Sequence, residues 1–255
     1  MRLPYSLSII IPAYNEARRL PQTLRDVVTY LAEHAASFEV LVVDDGSTDG
    51  TVKLVQEASK RWPQIRLIQN DGNQGKGASV QHGMRLARGD FIVYMDADHS
   101  TNINELYKLP ALLKHGGDVF VSSRYVYGSD IQQHQPWQRV VISRVSNMVI
   151  RVFAVPGIRD TQNGFKIVRG TAASKIAPHL LLKRWAFDVE FLYVARALGF
   201  RLVEFPVTWH NTTGSKLNVA RDLRNTVGEF WTFIWNRLRS KYPGPAKPPQ
   251  RAERV

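Results

Sequence analysis

The chain has 255 residues, 44% of them hydrophobic, so it is long enough to bury the core of one large domain. It contains no cysteine, which excludes disulfides, thiolate zinc sites and cysteine nucleophiles and is typical of a reducing compartment such as the cytoplasm. Lys and Arg number 34 against 22 Asp and Glu, a net charge of +12, which predicts attraction to nucleic acid, anionic lipid or phosphorylated ligands.

The first apolar run is short and ends at Pro12, so it does not predict a signal peptide. No uninterrupted apolar stretch approaches the ~20 residues that cross a bilayer. We therefore expect a protein that is soluble or lies on a membrane surface.

The first hundred residues alternate short runs rich in Val and Ile with amphipathic stretches. The apolar runs predict buried strands at Leu7–Ile11, Glu39–Val43, Ile65–Gln69 and Phe91–Met95. Helices are predicted between them, over about residues 17–34, 50–60 and 76–88. This alternation predicts one α/β domain with an open, mostly parallel sheet, in which ligands lie at the carboxyl ends of the strands.

The second half predicts a strand at Val119–Ser123, a helix over roughly residues 141–152 and another over Arg184–Ala197. Leu202–Trp209 is predicted as an edge strand, because Pro206 lacks the N–H that a central strand needs. We divide the chain into a catalytic domain (1–218), an amphipathic helix with aromatic and basic residues (219–240) and a disordered tail (241–255).

Asp96-Ala97-Asp98 directly follows the predicted strand Phe91–Met95. Two carboxylates at a strand end can converge on one Mg²⁺ or Mn²⁺, whose other ligands are water and phosphate oxygens. Such a cation neutralises a diphosphate leaving group. For an isolated D-x-D, a solvated acidic loop or a helix cap is the favoured explanation, and only the context of the motif reverses this preference.

Two further segments follow predicted strands. Asp44 to Gly50 contains ordinary turn and cap residues, which leave the two adjacent acids unexplained, and we assign Asp45 the role of accepting hydrogen bonds from a base or ribose. Asn73-Gln74-Gly75-Lys76-Gly77 begins a predicted helix and suits an anion. It does not have the spacing of a P-loop.

The order P-A-Y-N-E, D-D-G-S, N-x-G-K-G and D-A-D resembles the family 2 glycosyltransferases, whose fold is the Rossmann-like GT-A fold. Three later segments are similar to the dolichyl-phosphate β-glucosyltransferases and their relatives, the dolichyl-phosphate mannose synthases: Asp160 to Lys166, Arg184 to Glu190 and Gly214 to Leu217. The resemblance covers Ser8 to about Leu217.

The resemblance implies roles for individual residues. Those expected to bind the nucleotide-sugar donor are Pro12, Tyr14, Glu16, Asp45, Lys76, Asp96, Ala97 and Asp98. Asp96 and Asp98 would hold the metal and, with Asp188, form the catalytic set. Those expected to meet the acceptor phosphate are Arg124, Arg139, Ser143 and Lys216. Gln162 and Asp188 would orient the sugar or the acceptor, unless the acids of that segment only cap or pair within a helix.

The resemblance implies an inverting enzyme that moves glucose from UDP-glucose to a polyprenyl or dolichyl phosphate at the cytoplasmic face of a membrane. The alternatives are mannose transfer from GDP-mannose, a soluble transferase with a small or polysaccharide acceptor, and, more distantly, a nucleic-acid-binding protein. Two features depart from the pattern: Asn163 stands where the glucosyltransferases usually have cysteine, and we expect no N-terminal anchor like that of the eukaryotic enzymes.

The final predicted helix sets aromatic residues beside arginines over about 20 residues, which is typical of an interfacial membrane element. The alternative is that its aromatic residues complete the core of the sheet. The sequence leaves both possibilities open.

Overall fold

A computed structural model describes residues 2–132, 154–210, 219–244 and 253–254, with side chains omitted for 219–227 and 253–254. The helix predicted over residues 141–152 lies outside the described residues. Within the part of the chain that is described, no helix is both long and apolar enough to span a bilayer.

An eight-stranded sheet forms the centre of the molecule, in the order β10-β8-β5-β7-β4-β1-β2-β3. Its strands are β1 (Leu3–Ala13), β2 (Ala35–Asp44), β3 (Ile65–Gln69), β4 (Phe91–Met95), β5 (Val119–Ser123), β7 (Phe165–Arg169), β8 (Leu202–Pro206) and β10 (Glu253–Arg254). All pairings are parallel except those that β7 makes with β4 and β5. The short strands β6 (Asp130–Gln132) and β9 (Thr208–His210) pair separately. The predicted mostly parallel sheet is confirmed.

Helices cover both faces of the sheet. They are α1 (Leu20–His34), α2 (Thr51–Arg61), α3 (Lys76–Leu86), α4 (Leu109–Leu113), α5 (Gly170–Ile176), α6 (Phe187–Ala197) and α7 (Val219–Leu238), with 3₁₀ turns at Ile103–Lys108 and Ala177–His179. Successive residues of β1 enter different cores: Ile10 packs with residues of α3, α5 and α6, whereas Ile9 and Ile11 pack with residues of α1, α2 and α4. This alternation follows from the twofold period of a strand and gives a three-layer domain.

The prediction that Leu202–Trp209 forms an edge strand was wrong, because β8 pairs with β5 on one side and with β10 on the other. Pro206 is the last residue of β8, beyond the part that pairs with β10, so its missing N–H interrupts no bond to that strand. The partner strand comes from the end of the chain, some fifty positions away, and a local pattern does not reveal it.

The carboxyl-terminal region belongs to the same domain. Phe233 of α7 is fully buried, and Tyr242 lies in the same hydrophobic cluster. Tyr242 and strand β10 both fall within residues 241–255, so those parts of the predicted disordered tail are ordered. Burying two aromatic side chains stabilises the contact by roughly 1.5–3 kcal/mol each, which offsets part of the entropic cost of ordering this segment.

Candidate active site

The loops after β1, β2 and β4 meet at one edge of the sheet. Ala13, the last residue of β1, lies opposite Asp44, the last residue of β2. The backbone N–H of Asp45 donates to the carbonyl oxygen of Ala13 at 2.8 Å. Because parallel strands end at the same edge, the three polar segments singled out in the sequence surround one region.

Asp96 lies between two residues, Lys76 and Gly164, that the sequence did not connect to it. Lys76, the first residue of α3, places its Nζ 2.5 Å from Asp96 Oδ1. On the other side, β7 runs antiparallel to β4 with Phe165 opposite Met95, which sets Gly164 beside Asp96. A Cβ atom on Gly164 would lie 1.9 Å from Asp96 Oδ2, so only glycine leaves room for this carboxylate.

Asp98 is the second carboxylate of the motif. Its Oδ1 accepts the backbone N–H of Ser100 at 3.0 Å, and its Oδ2 lies 3.8 Å from Nη1 of Arg19. His99, next in the chain, has φ of +62°, a left-handed conformation that turns the chain sharply after the motif. Asp98 therefore retains oxygen lone pairs for a ligand.

The charges of this region are strongly coupled. Removal from water raises the pKa of Asp96, the charges of Asp98 and Asp188 raise it further, and Lys76 opposes the rise without cancelling it. Burial alone would lower the pKa of Lys76, but Asp96 and Asp188 outweigh it, so that pKa is raised. Lys76 and the three carboxylates therefore influence one another's ionisation.

The donor set fits a divalent cation held partly by its substrate. Carboxylate oxygens are the ligands that suit Mg²⁺ and Mn²⁺. The described residues bring together no cluster of three or more His, Cys, Asp or Glu able to enclose a metal. Asp98, assisted by Asp96, would therefore hold a cation whose remaining ligands are phosphate oxygens and water.

The two acids after β2 are bound differently. Both oxygens of Asp45 accept hydrogen bonds from the protein: Asn70 Nδ2 at 2.9 Å, the N–H of Gln74 at 2.9 Å and the N–H of Gly75 at 2.7 Å. The Oδ2 of Asp44 accepts the N–H of Ser47 at 3.2 Å, and its buried Oδ1 has no partner among the described residues. Asp45 thus fixes the turn before Lys76, and the role that we assigned it toward the nucleotide stays a prediction.

The loop after β1 is shaped by Asn15, to which the sequence analysis gave no role. Asn15 has φ of +55°, and its Oδ1 accepts the backbone N–H groups of Thr48 at 2.8 Å and Asp49 at 3.2 Å. Asparagine tolerates this conformation better than most residues, and its short amide reaches neighbouring backbone. Asn15 therefore joins the loops after β1 and β2 into one wall of the site.

The other residues predicted to bind the donor lie along that wall or beside it. Pro12 is the penultimate residue of β1, Tyr14 is exposed after it, and Glu16 forms a bidentate ion pair with Arg19. Ala97 is buried, and its carbonyl oxygen accepts the hydroxyl of Thr23.

The amino-terminal end of α3 packs closely against the segment that precedes α6. A Cβ atom on Gly75 would lie 2.5 Å from the carbonyl oxygen of Lys183, and one on Gly77 would lie 2.5 Å from Cβ of Phe187. Gly75 also has φ of +106°, which side chains rarely adopt. These two glycines place Lys76 between Asp96 and the ring of Trp185, whose centroid is 5.8 Å from Nζ.

Lys166 and Asp188 form a buried ion pair near Asp96. Lys166 on β7 is fully buried and donates to Asp188 Oδ1 at 2.6 Å and to the carbonyl oxygen of Asn163 at 2.7 Å. The hydroxyl of Tyr94 also donates to Asp188 Oδ1, at 2.8 Å. Burial lowers the pKa of Lys166, and Asp188 opposes this. Asp188 thus pairs across the domain, with β4 and β7, and not within its own helix.

Arg124, predicted to meet the acceptor phosphate, has a carboxylate partner. Its Nε and Nη2 donate to Asp160 at 2.7 and 3.0 Å. Burial alone would raise the pKa of Asp160, but Arg124 outweighs it and holds that pKa below its usual range. The charge of Arg124 is therefore already balanced, and its role toward the acceptor stays a prediction. Arg139, Ser143 and Lys216, of the same predicted set, lie outside the described residues.

The loop from Arg159 to Gly164 is held from several sides. Glu204 accepts the backbone N–H groups of Arg159 and Asp160, each at 2.9 Å, and Thr101 donates to Oδ1 of Asn163 at 3.3 Å. Gln162 is the half-buried residue between these contacts. The loop is thereby fixed where it faces Asp96.

Lys166 and Gly164 are the residues that sequence reasoning missed most clearly. Both belong to the segment that carried the resemblance, yet neither received a role. A signal was present for Lys166, since a lysine interrupting the apolar run of a buried strand requires a buried partner. No local signal indicates that Gly164 lies against Asp96, because that contact depends on the register between β4 and β7.

Gly164→Ala is expected to lower transfer about a hundredfold, because the added methyl displaces the Asp96 carboxylate and a shift of ~1 Å at a reacting centre costs about that much. Gly50→Ala is the matched control, since its Cβ would meet nothing closer than 3.8 Å. Steady-state rates and melting temperatures of both variants check this. Normal transfer by a folded Gly164→Ala protein would contradict the close contact.

Comparison with known proteins gives the same picture of the chain. The model of the family described as glycosyl transferase family 2 matches residues 8–176. The dolichyl-phosphate beta-glucosyltransferase of Dictyostelium discoideum is 35% identical over 248 residues, covering 90% of this chain and 76% of that protein. Its counterpart in Drosophila melanogaster is 37% identical, covering 89% and 71%.

Among solved structures, the glucosyl-3-phosphoglycerate synthase of Mycobacterium tuberculosis superposes with a TM-score of 0.63 at 16% sequence identity. The match covers 95% of this chain and 82% of that one, whose structure contains Mn²⁺, uridine diphosphate and glucosyl-3-phosphoglycerate. At this identity the likeness shows a shared fold.

Proposed function

The chain belongs to glycosyl transferase family 2, and from this premise we propose that it transfers glucose from UDP-glucose to a polyprenyl phosphate such as dolichyl phosphate, with inversion at the sugar carbon. The observation that carries the proposal is the similarity to dolichyl-phosphate beta-glucosyltransferases along about nine-tenths of the chain. The arrangement of Asp96, Asp98 and Lys76 at the strand ends supports donor chemistry of this kind.

On the donor side, the wall formed by the loops after β1 and β2 would bind the uridine. Of the two acids there, we propose that Asp45 accepts hydrogen bonds from the base or the ribose. Lys76 lies at the N-terminal end of α3. Its Nζ would leave Asp96 and bind a diphosphate oxygen of the donor. A Mg²⁺ or Mn²⁺ held by Asp98 and Asp96 would supply charge stabilisation for the departing diphosphate.

On the acceptor side, a protein base is not required. The second ionisation of a phosphate monoester lies near pH ~6, so at neutral pH the attacking oxygen already lacks its proton. Asp188, the acid that would otherwise be chosen, has an oxygen engaged by Lys166 and Tyr94. We assign Asp188 the task of holding Lys166, and through it the Asn163 carbonyl and the loop that faces Asp96.

The acceptor implies that the protein works at a membrane surface, and the cytoplasmic face is the location we propose. The absence of cysteine and the net charge of +12 support this location, since basic residues bind anionic lipid. The proposal includes no nucleic-acid partner, because the strand-end loops that form the site are acidic.

The experiment is a mass-spectrometric screen of UDP-glucose, UDP-N-acetylglucosamine and GDP-mannose against polyprenyl phosphates and 3-phosphoglycerate, with and without EDTA. We expect glucose to be transferred from UDP-glucose to the lipid phosphate, and EDTA to abolish the transfer. Preferred use of GDP-mannose, or transfer only to the water-soluble acceptor, would overturn the proposal.

A further inference from the structure

Helix α7 has an exposed apolar stripe. Trp231, Trp235 and Leu238 are 66%, 55% and 73% exposed. Their spacing of four and then three residues places them on one face of a helix. Large aromatic side chains that remain in water while clustered on one surface mark a site of interaction.

The opposite face of the same helix is anchored in the protein. Phe233 and Asn236 are buried, and the ring of Phe233 packs edge-on against Tyr193 with centroids 5.2 Å apart. Tyr242, just beyond the helix, donates to Glu190 at 2.6 Å. Core packing, one of the two possibilities that the sequence left open for this helix, is therefore seen on this face, whereas membrane contact by the other face stays a prediction.

The charged residues that follow Glu229 in this part of the chain are all basic. From Phe230 to Gly244 the chain contains Arg237, Arg239 and Lys241 and no Asp or Glu. Arg239 stacks over the ring of Trp235, its guanidinium carbon 4.6 Å from the ring centroid. All three basic residues are exposed. Tryptophan beside arginine is the combination that suits a lipid headgroup region, with rings at the acyl boundary and cations at phosphates.

We propose that Trp231, Trp235 and Leu238 form a surface that inserts into the headgroup region of an anionic bilayer, with Arg239 and Lys241 contacting lipid phosphates. This inference rests on the proposed function, because a lipid-linked acceptor requires the site to reach a membrane. It names the part of the chain that makes the contact.

The position of α7 connects this surface to the active site. Glu229, two residues before Trp231, accepts the backbone N–H of Ala186 at 3.0 Å. Ala186 immediately precedes α6, whose second residue is Asp188. Docking of α7 on a bilayer therefore holds the site near the surface that contains the acceptor.

The test compares Trp231→Ser/Trp235→Ser with the wild-type protein on vesicles of phosphatidylcholine and phosphatidylglycerol. Serine and tryptophan have similar helix propensities, so α7 is expected to persist. We expect the double variant to bind vesicles at least tenfold more weakly, and wild-type binding to fall when phosphatidylglycerol is omitted or salt is raised. The control is Tyr107→Ser/Tyr127→Ser, which removes two aromatic residues that are 67% and 99% exposed elsewhere.

A second measurement separates this inference from the function on which it rests. Transfer to a short-chain polyprenyl phosphate in detergent should be unchanged in the double variant, whereas transfer to acceptor embedded in vesicles should fall with binding. Equal vesicle binding by both proteins would overturn the docking surface, as would a change of oligomeric state in sedimentation caused by the tryptophan substitutions. Failure of the wild-type protein to use the lipid phosphate in detergent would instead overturn the proposed function.

Discussion

Asp98→Asn is expected to reduce transfer by on the order of a thousandfold without unfolding the protein. The amide keeps the size of the side chain but has no charge for a cation, and losing several kcal/mol of charge stabilisation in the transition state corresponds to about that factor. Asp98 has one backbone hydrogen bond and a distant arginine, so the fold depends little on it.

The measurements are steady-state transfer over a range of Mn²⁺ concentrations and the melting temperature of both proteins. The control is Glu33→Gln, which removes the same charge from an exposed acid near the C-terminal end of α1, away from the strand-end loops. Near-normal turnover by Asp98→Asn, or full wild-type activity in excess EDTA, would show that the metal assignment is wrong.

Asp188→Asn is expected to lower the free energy of unfolding by about 3–5 kcal/mol, because it leaves the ammonium of the fully buried Lys166 without its carboxylate. Lys166→Met should destabilise the protein to a similar extent by leaving Asp188 unpaired. The double variant Asp188→Asn/Lys166→Met should be more stable than the sum of the single effects predicts, since no unpaired charge remains.

Urea unfolding of the three variants and the wild-type protein measures this coupling as a double-mutant cycle. Additive losses would mean that the two side chains stabilise the domain independently, contrary to the 2.6 Å contact between them.

The same variants distinguish a positioning role of Asp188 from that of a general base. At a temperature where all are folded, Asp188→Asn should retain a pH dependence governed by the acceptor phosphate, whose second ionisation lies near pH ~6. Loss of a different ionisation that wild type displays, together with a rate lower by several orders of magnitude, would identify Asp188 as a base and contradict the phosphate acceptor.

Several contacts could not be predicted, because the sequence shows both residues of a pair but not the distance between them in the folded chain. Arg124 and Asp160 were each singled out, yet the ion pair joins positions 36 residues apart. Likewise, Asp45 was predicted to face the nucleotide because it follows a strand, whereas its oxygens accept N–H groups from the turn before α3. A carboxylate at a strand end accepts hydrogen bonds from whichever donors lie within about 3 Å of it, and the folding of the neighbouring loops decides which donors those are.

The C-terminal helix is a second example of contacts that its sequence could not predict. Its amphipathic composition predicted two alternatives, membrane contact or core packing. Only the packing of α7 against α6 shows that Phe233 is buried and Trp231 is exposed. Successive side chains of a helix point about 100° apart. Residues two positions apart, such as Trp231 and Phe233, therefore lie on nearly opposite faces.

The sequence by itself determined the alternation of strands and helices, the parallel sheet, the meeting of acidic segments at strand ends and the resemblance to family 2 glycosyltransferases. These follow from local periodicity and from motifs that are contiguous in the chain. Only the tertiary structure decided that β8 lies inside the sheet, that Gly164 makes room for Asp96, and that Lys166 and Arg124 neutralise buried acids. Charge pairing and steric fit are set by distances of a few ångströms between residues far apart in the chain, and side-chain types alone do not specify those distances.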